Sequence, residues 1–272
     1  MSTHLAEFGR IDQTRDAEYF IRFLDEACAQ LTVKAYKQHM NELLELQAGK
    51  RILDVGCGTG DDVRGMAGLV APAGLIVGID NSAAMIAEAN QRSAGGTLPV
   101  EFQVADALKL TFDSNSFDAT RADRSLMHVP DAKQVLAEMA RVTKPGGRVV
   151  VFEVDFETIT IDAADRGLAR RIAHTWCDGF RNGWLGRCIP RILKELGLRD
   201  VGVTPYTMLL TPGMSVPLLG AATTQRAVQN GTVTAAEAQT WLAHLDDLQK
   251  AGRFFSTLSG FLVAGRKQDI GS

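Results

Sequence analysis

The chain has 272 residues, 46% of them apolar, and a formal net charge of −3. This length and composition fit one large globular domain or two small ones, and the slight acidity argues against a nucleic-acid partner, because proteins that bind nucleic acids carry basic surfaces. The four cysteines contain no Cys-x-x-Cys pair, which argues against a disulfide framework and a metal site. The sequence shows neither a secretory signal nor an apolar membrane span, so we expect a cytoplasmic protein with no membrane partner.

The N-terminal segment predicts helices. Apolar residues fall at helical spacing between Asp16 and Leu46, and Gly49 is a natural helix end. We expect residues 1–48 to form a helical lid. Tyr19 lies beside the apolar stripe, which makes it a candidate for contact with a substrate.

From residue 49 onward, short runs rich in Ile and Val alternate with helical segments. Such alternation favours right-handed crossovers and a parallel sheet that is covered on both faces. The predicted strands are 51–55, 75–80, 100–105, 117–122 and 148–154, and the predicted helices between them are 61–70, 82–92 and 131–142.

Beyond Asp155 the alternation weakens. Predicted helices cover 162–180 and 190–196, a further helix begins at Thr234, and 201–210 and 255–266 have the pattern of strands. A helical piece of this length between the last two strands is longer than an ordinary connection. It predicts either a cap over a pocket or an oligomer contact, and a homodimer is one expectation.

The most informative stretch is residues 52–60, which read ILDVGCGTG. A buried strand runs into a glycine-rich turn, where bare backbone lets a ligand approach closely, and then into a helix. Asp80 ends the next predicted strand. A doubly wound fold places a carboxylate there to accept hydrogen bonds from ribose hydroxyls, so we expect a ligand that contains a nucleoside.

Three carboxylates surround this glycine loop, namely Asp54, Asp61 and Asp62. They would repel the pyrophosphate of a dinucleotide, and no Gly-Lys-Ser/Thr follows to make a phosphate-binding loop. A nucleoside ligand with a cationic part, such as S-adenosylmethionine, fits better. For Asp61 and Asp62 the alternative is that they stabilise the helix start against its dipole.

Five motifs in register carry a family resemblance: ILDVGCGTG at 52–60, VGID at 77–80, ADA at 105–107, SFDA at 116–119 and KPGGRVVV at 144–151. Together they resemble the Rossmann-like (class I) S-adenosylmethionine-dependent methyltransferases of the small-molecule type. The resemblance implies an α/β fold with a doubly wound, seven-stranded, mostly parallel sheet and helical cap insertions. It also implies S-adenosylmethionine as cofactor and methyl transfer to an O, N or C nucleophile of a small, secondary-metabolite-like acceptor. The alternative is a cyclase or lyase of the same fold that binds this cofactor without transferring its methyl group.

On this basis we expect one domain over residues 1–272. Its cofactor-binding half would be 49–155. The C-terminal half, 156–272, would carry helical inserts near 160–188 and 213–252.

The resemblance further implies individual cofactor contacts. The loop would face the methionine part of the cofactor through Gly56, Cys57, Gly58, Thr59 and Gly60, with Asp54 near the ammonium group. Asp80 would hold the ribose, Asn81 and Met85 would flank the adenine, Asp106 and Ala107 would bind its amino edge, and Ala122 and Asp123 would touch the methionine part. Met85 has the alternative of a core residue, and Asp106 that of a turn cap.

His128 is the candidate general base, because it follows the fourth strand on the edge where a substrate would approach and its pKa can lie near neutrality. The alternative is a structural histidine that anchors this loop. Arg124 is the candidate for binding an anionic group of the substrate, and it has the alternative of pairing with Asp123 or Asp80. Trp176 and Arg181 lie in the first C-terminal insert, where substrate-shaping residues of the family occur, and Trp176 has the alternative of a core residue.

Overall fold

The computed structural model describes residues 11–13, 18, 20–22, 25 and 31–268. A seven-stranded sheet has the strand order β3-β2-β1-β4-β5-β7-β6. The strands are β1 (Arg51–Val55), β2 (Leu75–Asp80), β3 (Val100–Val104), β4 (Phe117–Asp123), β5 (Thr143–Ile161), β6 (Arg199–Leu209) and β7 (Ser256–Arg266).

The strands β1 to β5 pair in parallel, with β1 between β2 and β4. From β1 the chain adds β2 and β3 on one side of the sheet and then β4 and β5 on the other side. In such sheets a ligand crevice forms at this switch point, at the carboxyl ends of the strands. The helices of this half are α1 (Leu31–Leu43), α2 (Asp61–Val70), α3 (Ala83–Ser93) and α4 (Ala132–Val142), and a 3₁₀ turn at Leu126–His128 follows β4.

The C-terminal half adds the two antiparallel strands, because β7 pairs with both β5 and β6. Its helices are α5 (Arg166–Cys177), α6 (Leu185–Glu195), α7 (Pro212–Leu219), α8 (Ala221–Gln229) and α9 (Ala235–Lys250). The helix α9 begins with a capping box between Thr234 and Glu237, which satisfies two backbone N–H groups at its start.

Apolar side chains cover both faces of the sheet. Along β1, Ile52 belongs to one buried cluster while Leu53 and Val55 belong to another on the opposite face. Successive side chains of a strand point to opposite faces, and a parallel sheet is stable only when both are covered. The predicted α/β fold with a seven-stranded, mostly parallel sheet is confirmed.

Most predicted bounds shift by a few residues in the structure, and the larger differences include β5 and α6. The strand β5 continues to Ile161, beyond the predicted end at 154, because it pairs again with β7 through Thr160 and Ile161 after a register shift. The helix α6 begins at Leu185 and contains Pro190 in its interior, whereas the prediction started the helix at Pro190, since proline favours a first helical position.

Candidate functional site

A cavity of about 320 Å³ opens at the carboxyl ends of β1, β2 and β4. At this edge it is lined by the backbone of Gly56 and by Asp80 and Asp106. Its opposite end is lined by side chains of β5 and α5, among them Phe156 and Trp176. One continuous space therefore joins the glycine loop to the C-terminal half of the chain.

Asp80 connects the glycine loop to the start of α3. Its carboxylate accepts the N–H of Gly58 at 3.0 Å and the N–H of Ser82 at 2.9 Å. Burial raises the pKa of Asp80, and these two hydrogen bonds oppose the rise. The same side chain lines the cavity, beside Asn81 and Met85, and its oxygens can accept further hydrogen bonds from a ligand.

Asp106 and Ala107 line the cavity next to this region. The Asp106 carboxylate also accepts the N–H of Leu108 at 2.9 Å. Asp106 therefore caps a turn, as the alternative expected, and lines the cavity as well. Met85 is likewise both buried in a small apolar cluster with Ile11 and Phe20 and exposed to the cavity.

Two glycines of the loop hold positions that a side chain would disturb. Gly56 has φ +76°, and a Cβ there would lie 2.4 Å from the Cβ of Ser125. Gly60 has φ +75°, and a Cβ there would lie 2.5 Å from the ring of Phe102. The first lets the backbone border the cavity, whereas the second packs helix α2 against the sheet, because Gly60 lines no described cavity.

A second cavity of about 60 Å³ adjoins the first at Gly56, Gly58 and Asp123. Its lining includes Cys57 and Thr59 from the glycine loop. Burial raises the pKa of the Cys57 thiol well above its usual value, so this residue is a protonated thiol and not an activated nucleophile.

Charged groups of both signs line this second cavity. Arg121, which is 1% exposed, lies 3.4 Å from Asp54 and 2.8 Å from Asp62. Lys37 of α1 donates a hydrogen bond of 2.7 Å to Asp62 as well. Burial raises the pKa of Asp54 to about 6, with Arg121 opposing the rise. Although burial also acts on Asp62, Arg121 and Lys37 hold its pKa well below its usual range.

These ion pairs correct the charge argument made from the sequence. Asp54 and Asp62 share Arg121, and Asp61 pairs with Arg64 and Arg92. The three carboxylates are therefore not free to attract a cation by themselves. The lining is of mixed charge, which suits a zwitterionic group such as the ammonium and carboxylate of an amino acid.

The end of β4 brings Asp123 and Arg124 to the boundary between the two cavities. The hydroxyl of Tyr36 on α1 donates to the Asp123 carboxylate at 3.1 Å. Arg124 Nε lies 3.3 Å from the same carboxylate, and its backbone turns sharply with φ +53°. The expected alternative of an Arg124–Asp123 pair is present, and both side chains line both cavities.

His128 sits on the 3₁₀ turn and lines the main cavity. Burial lowers its pKa to about 4, which corrects the expectation of a pKa near neutrality. At neutral pH the imidazole is therefore uncharged, with one ring nitrogen able to accept a proton or a hydrogen bond.

The carboxyl of Glu153 on β5 supports this turn. It accepts the N–H of Leu126 at 2.6 Å, and its Oε2 has no hydrogen-bond partner among the residues that the structure describes. Burial raises the pKa of Glu153 to about 8, while backbone N–H groups of the turn oppose the rise. We found no sequence signal for it, because a glutamate inside a strand is usually read as solvent-exposed.

Besides Gly60, three expected site residues lie elsewhere in the structure or outside the part described. Ala122 is buried in the core and lines neither cavity, because strand alternation turns it away from its neighbours Arg121 and Asp123. Arg181 is exposed and does not line the cavities. Tyr19 lies outside the described residues.

Sequence reasoning missed several side chains that the fold brings to the site. Arg121 was detectable in principle, since it lies two residues before Asp123 on one strand and so shares its face. Tyr36 and Lys37 were treated only as parts of a helix. Their contact with the end of β4 depends on how α1 packs, which no local pattern reveals.

Comparison with known proteins decides the family. A family model described as a methyltransferase domain matches residues 46–197. An uncharacterized 37.1 kDa protein in transposon TN4556 of Streptomyces fradiae is 35% identical over 250 residues, covering 90% of this chain and 71% of that protein. The chain belongs to the methyltransferase-domain family. Demethylmenaquinone methyltransferase of Shouchella clausii is 35% identical over 190 residues, covering 64% of this chain and 81% of the relative.

Among solved structures, phosphoethanolamine N-methyltransferase 2 of Haemonchus contortus superposes with a TM-score of 0.62 at 20% identity, covering 97% of this chain and 60% of that one. This likeness supports the fold. With the five sequence motifs, the expected membership of the class I S-adenosylmethionine-dependent methyltransferases is confirmed, and S-adenosylmethionine is the cofactor of this methyltransferase.

The described residues of the methyltransferase fit that cofactor. The main cavity offers carboxylates of Asp80 and Asp106 to a nucleoside, and the adjoining cavity offers both signs of charge to an amino-acid group. The start of α2, where a dinucleotide would place its pyrophosphate, holds Asp61 and Asp62 in its first turn. Within the described residues, no helix of the methyltransferase is long and apolar enough to cross a membrane.

Proposed function

We propose that this methyltransferase transfers the methyl group of S-adenosylmethionine to a small-molecule acceptor. The observation that carries the proposal is the single cavity that joins the nucleoside-type lining of Asp80 and Asp106 to an apolar lining of Phe156 and Trp176. An in-line transfer needs the cofactor and the acceptor in one space that excludes water. Most of the catalysis then comes from aligning the nucleophile, the methyl carbon and the sulfur.

We assign the nucleoside side of the cavity to the cofactor. Asp80 accepts hydrogen bonds from the ribose hydroxyls, Asn81 and Met85 flank the adenine, and Asp106 with the backbone of Ala107 binds its amino edge. This assignment is supported by the position of all five residues on the lining of one cavity.

The second cavity is assigned to the amino-acid end of the cofactor. The Gly56–Gly58 backbone, Asp54 and Asp123 lie on the side of its ammonium group, and Arg121 lies 3.4 Å from Asp54 and 3.3 Å from Asp123. Because the lining carries positive side chains as well, it can also bind the carboxylate of the cofactor's amino-acid end. A purely acidic pocket would repel that carboxylate.

The acceptor's nucleophilic atom attacks the methyl carbon, and the carbon–sulfur bond breaks with its electron pair going to sulfur. The leaving group is a neutral thioether, so no acid is required to expel it. A base is needed only when the nucleophile loses a proton of high pKa.

His128 and Arg124 are the residues that we assign to the acceptor's reactive atom. The neutral His128 imidazole accepts the proton of an O–H or N–H nucleophile, and Arg124 stabilises the negative charge that develops when such a proton leaves. Both line the main cavity, as Asp123 does.

The test is incubation of the protein with S-adenosylmethionine and a panel of acceptors bearing O, N or C nucleophiles. Because one relative is a demethylmenaquinone methyltransferase, ring quinones belong in the panel beside phenols and amines. The proposal expects S-adenosylhomocysteine and a product heavier by one methyl group. Conversion of an acceptor with no S-adenosylhomocysteine would instead support a cyclase or lyase that uses the cofactor without transferring its methyl group.

A further inference from the structure

The turn that carries His128 is held against the sheet by two side-chain hydrogen bonds. Ser125 donates its hydroxyl to the carbonyl of Val55 at 3.1 Å, and Glu153 accepts the N–H of Leu126 at 2.6 Å. Both contacts hold residues that precede His128 in the chain, so the end of the turn depends on other groups.

A side chain from the C-terminal half holds that end. Asn182 lies between α5 and α6, and its Nδ2 donates to the carbonyl oxygens of Leu126 at 3.0 Å and of Val129 at 2.9 Å. Because both partners only accept hydrogen bonds, both Nδ2 hydrogens are used and the amide nitrogen faces the turn. The two carbonyls lie on either side of His128 in the chain, so one amide group spans the residue that we assign as the base.

The segment around Asn182 is anchored to the acceptor end of the main cavity. Phe180 lines this cavity and stacks on Phe156, with ring centroids 3.9 Å apart. The carbonyl of Gly183 accepts the N–H of Phe156 at 2.9 Å. Since Asn182 lies between these two anchored residues, its amide has a fixed place relative to the aromatic wall of the cavity.

We propose that Asn182 is a positioning residue for the methyl transfer, which holds the carbonyls of Leu126 and Val129 so that the His128 imidazole stays within reach of the bound acceptor. This inference rests on the proposed function, because it takes over the role given there to His128. Asn182 lines neither described cavity, so it acts through the turn. A base must lie at hydrogen-bond distance from the proton that it removes, and a misplacement of about 1 Å can cost about a hundredfold in rate.

The test compares three single variants with the natural protein. Asn182→Ala removes both hydrogen bonds, whereas Asn182→Asp keeps the shape of the side chain and sets a carboxylate oxygen against the same two carbonyl oxygens. Asn90→Ala is the matched control, because the exposed Asn90 also donates its Nδ2–H to a backbone carbonyl, that of Ile86 at 3.0 Å within α3. The values of kcat and KM are measured with an acceptor that the natural protein methylates.

At neutral pH, Asn182→Ala is expected to lower kcat about tenfold, with the affinity for S-adenosylhomocysteine changed less than about twofold. Asn182→Asp should lower kcat at least as far, because a carboxylate oxygen has no hydrogen to donate and repels both carbonyl oxygens. Asn90→Ala should keep the kcat of the natural protein. A kcat equal to that of the natural protein in either Asn182 variant would overturn the inference.

A double variant shows whether Asn182 acts through His128. In a protein that already carries His128→Ala, the further change Asn182→Ala should leave the residual kcat unchanged, because no imidazole remains to be positioned. A side chain that only stabilises the fold would lower kcat by the same factor with and without the imidazole. Such a multiplied loss would overturn the inference.

The ring of His128 offers a readout that needs no acceptor. Burial lowers its pKa to about 4, and NMR follows the ring resonances as the pH changes. A loosened turn exposes the ring to water, so the pKa of His128 should rise toward about 6.5 in Asn182→Ala and stay in place in Asn90→Ala. An unchanged pKa in Asn182→Ala would overturn the inference.

One further measurement uses the natural protein alone, in case the Asn182 variants do not fold. Both side-chain amide protons of Asn182 should exchange with water several-fold more slowly than those of the exposed Asn230, and equal exchange rates would overturn the inference. Failure of the proposed function is a separate outcome. If no acceptor yields S-adenosylhomocysteine, the proposed function is contradicted, and the NMR measurements still decide whether Asn182 holds the turn.

Discussion

Asp80 links the backbone of the glycine loop to the cavity, because it accepts N–H groups of Gly58 and Ser82 while facing the same space as Asn81. Replacing it with Ala removes charge-assisted hydrogen bonds to the ribose and loosens the loop. We expect Asp80→Ala to weaken S-adenosylmethionine affinity by about 1–3 kcal/mol in calorimetric titration. The exposed Asp113→Ala is the control, and an Asp80 variant with unchanged affinity would refute the ribose assignment.

His128 is neutral over the physiological range, since burial lowers its pKa to about 4. We expect His128→Ala to lower turnover at least tenfold, with cofactor affinity changed less than twofold, because the residue is assigned to the acceptor. The rate of the natural protein should show no step near pH 6.5, where an exposed histidine titrates. Turnover of His128→Ala equal to that of the natural protein would remove His128 as the base.

Glu153 predicts a pH dependence of stability. Its pKa is about 8 in the folded protein and about 4.5 in its usual surroundings. Between these values the unfolded carboxyl has lost its proton while the folded one retains it, so the free energy of unfolding falls as pH rises, by up to about 1.4 kcal/mol per pH unit.

Glu153→Gln removes this titration and keeps an oxygen that can accept the N–H of Leu126. We expect the unfolding free energy of the variant minus that of the natural protein to grow steadily from pH 5 to pH 8, as measured by urea denaturation. The exposed Glu101→Gln should show no such trend. A constant difference for Glu153→Gln would contradict a protonated carboxyl in the core.

At the scale of elements, Asp12 joins residues 11–13 to the start of α3. The carboxylate of Asp12 accepts the N–H of Ala83 at 2.8 Å and that of Ala84 at 3.3 Å, and the neighbouring Ile11 lines the cavity. Asp12 thus caps a helix with a residue from another segment, next to Ile11 on the cavity lining.

We expect Asp12→Ala to speed cofactor dissociation several-fold in stopped-flow measurements, because loss of a helix cap costs about 0.5–2 kcal/mol and frees the neighbouring Ile11, which lines the cavity. Asp12→Asn keeps an oxygen acceptor, so its rate of cofactor dissociation should lie between the rates of the natural protein and of Asp12→Ala. Equal dissociation rates for all three proteins would show that the contact does not retain the cofactor.

The elements whose bounds were predicted correctly are those with local signals. Helix α2 starts after a glycine turn and β2 ends at Asp80, as expected. The extension of β5 to Ile161 has no local signal, because it depends on pairing with β7 about a hundred residues later in the chain.

The same distinction applies to the site. The positions of Asp80 and Asp106 follow from strand ends, which the motifs mark. The ion pairs of Arg121 follow from packing between distant segments. The sequence therefore predicted an acidic surrounding for the glycine loop, whereas its carboxylates are paired with arginine side chains in the structure.

For the whole molecule, the sheet order places two kinds of lining at opposite ends of one cavity. The parallel strands β1, β2 and β4 end at the nucleoside side, and the antiparallel extension with α5 and α7 supplies the apolar side. This arrangement predicts that cofactor and acceptor occupy the protein together, with the methyl group between them.

The most direct measurement is a mass-spectrometric count of products from S-adenosylmethionine that carries a trideuterated methyl group. We predict one S-adenosylhomocysteine for each acceptor molecule that gains the labelled methyl group, with both products reduced together in Asp80→Ala at limiting cofactor. Acceptor conversion without label, with the cofactor recovered intact, would contradict it.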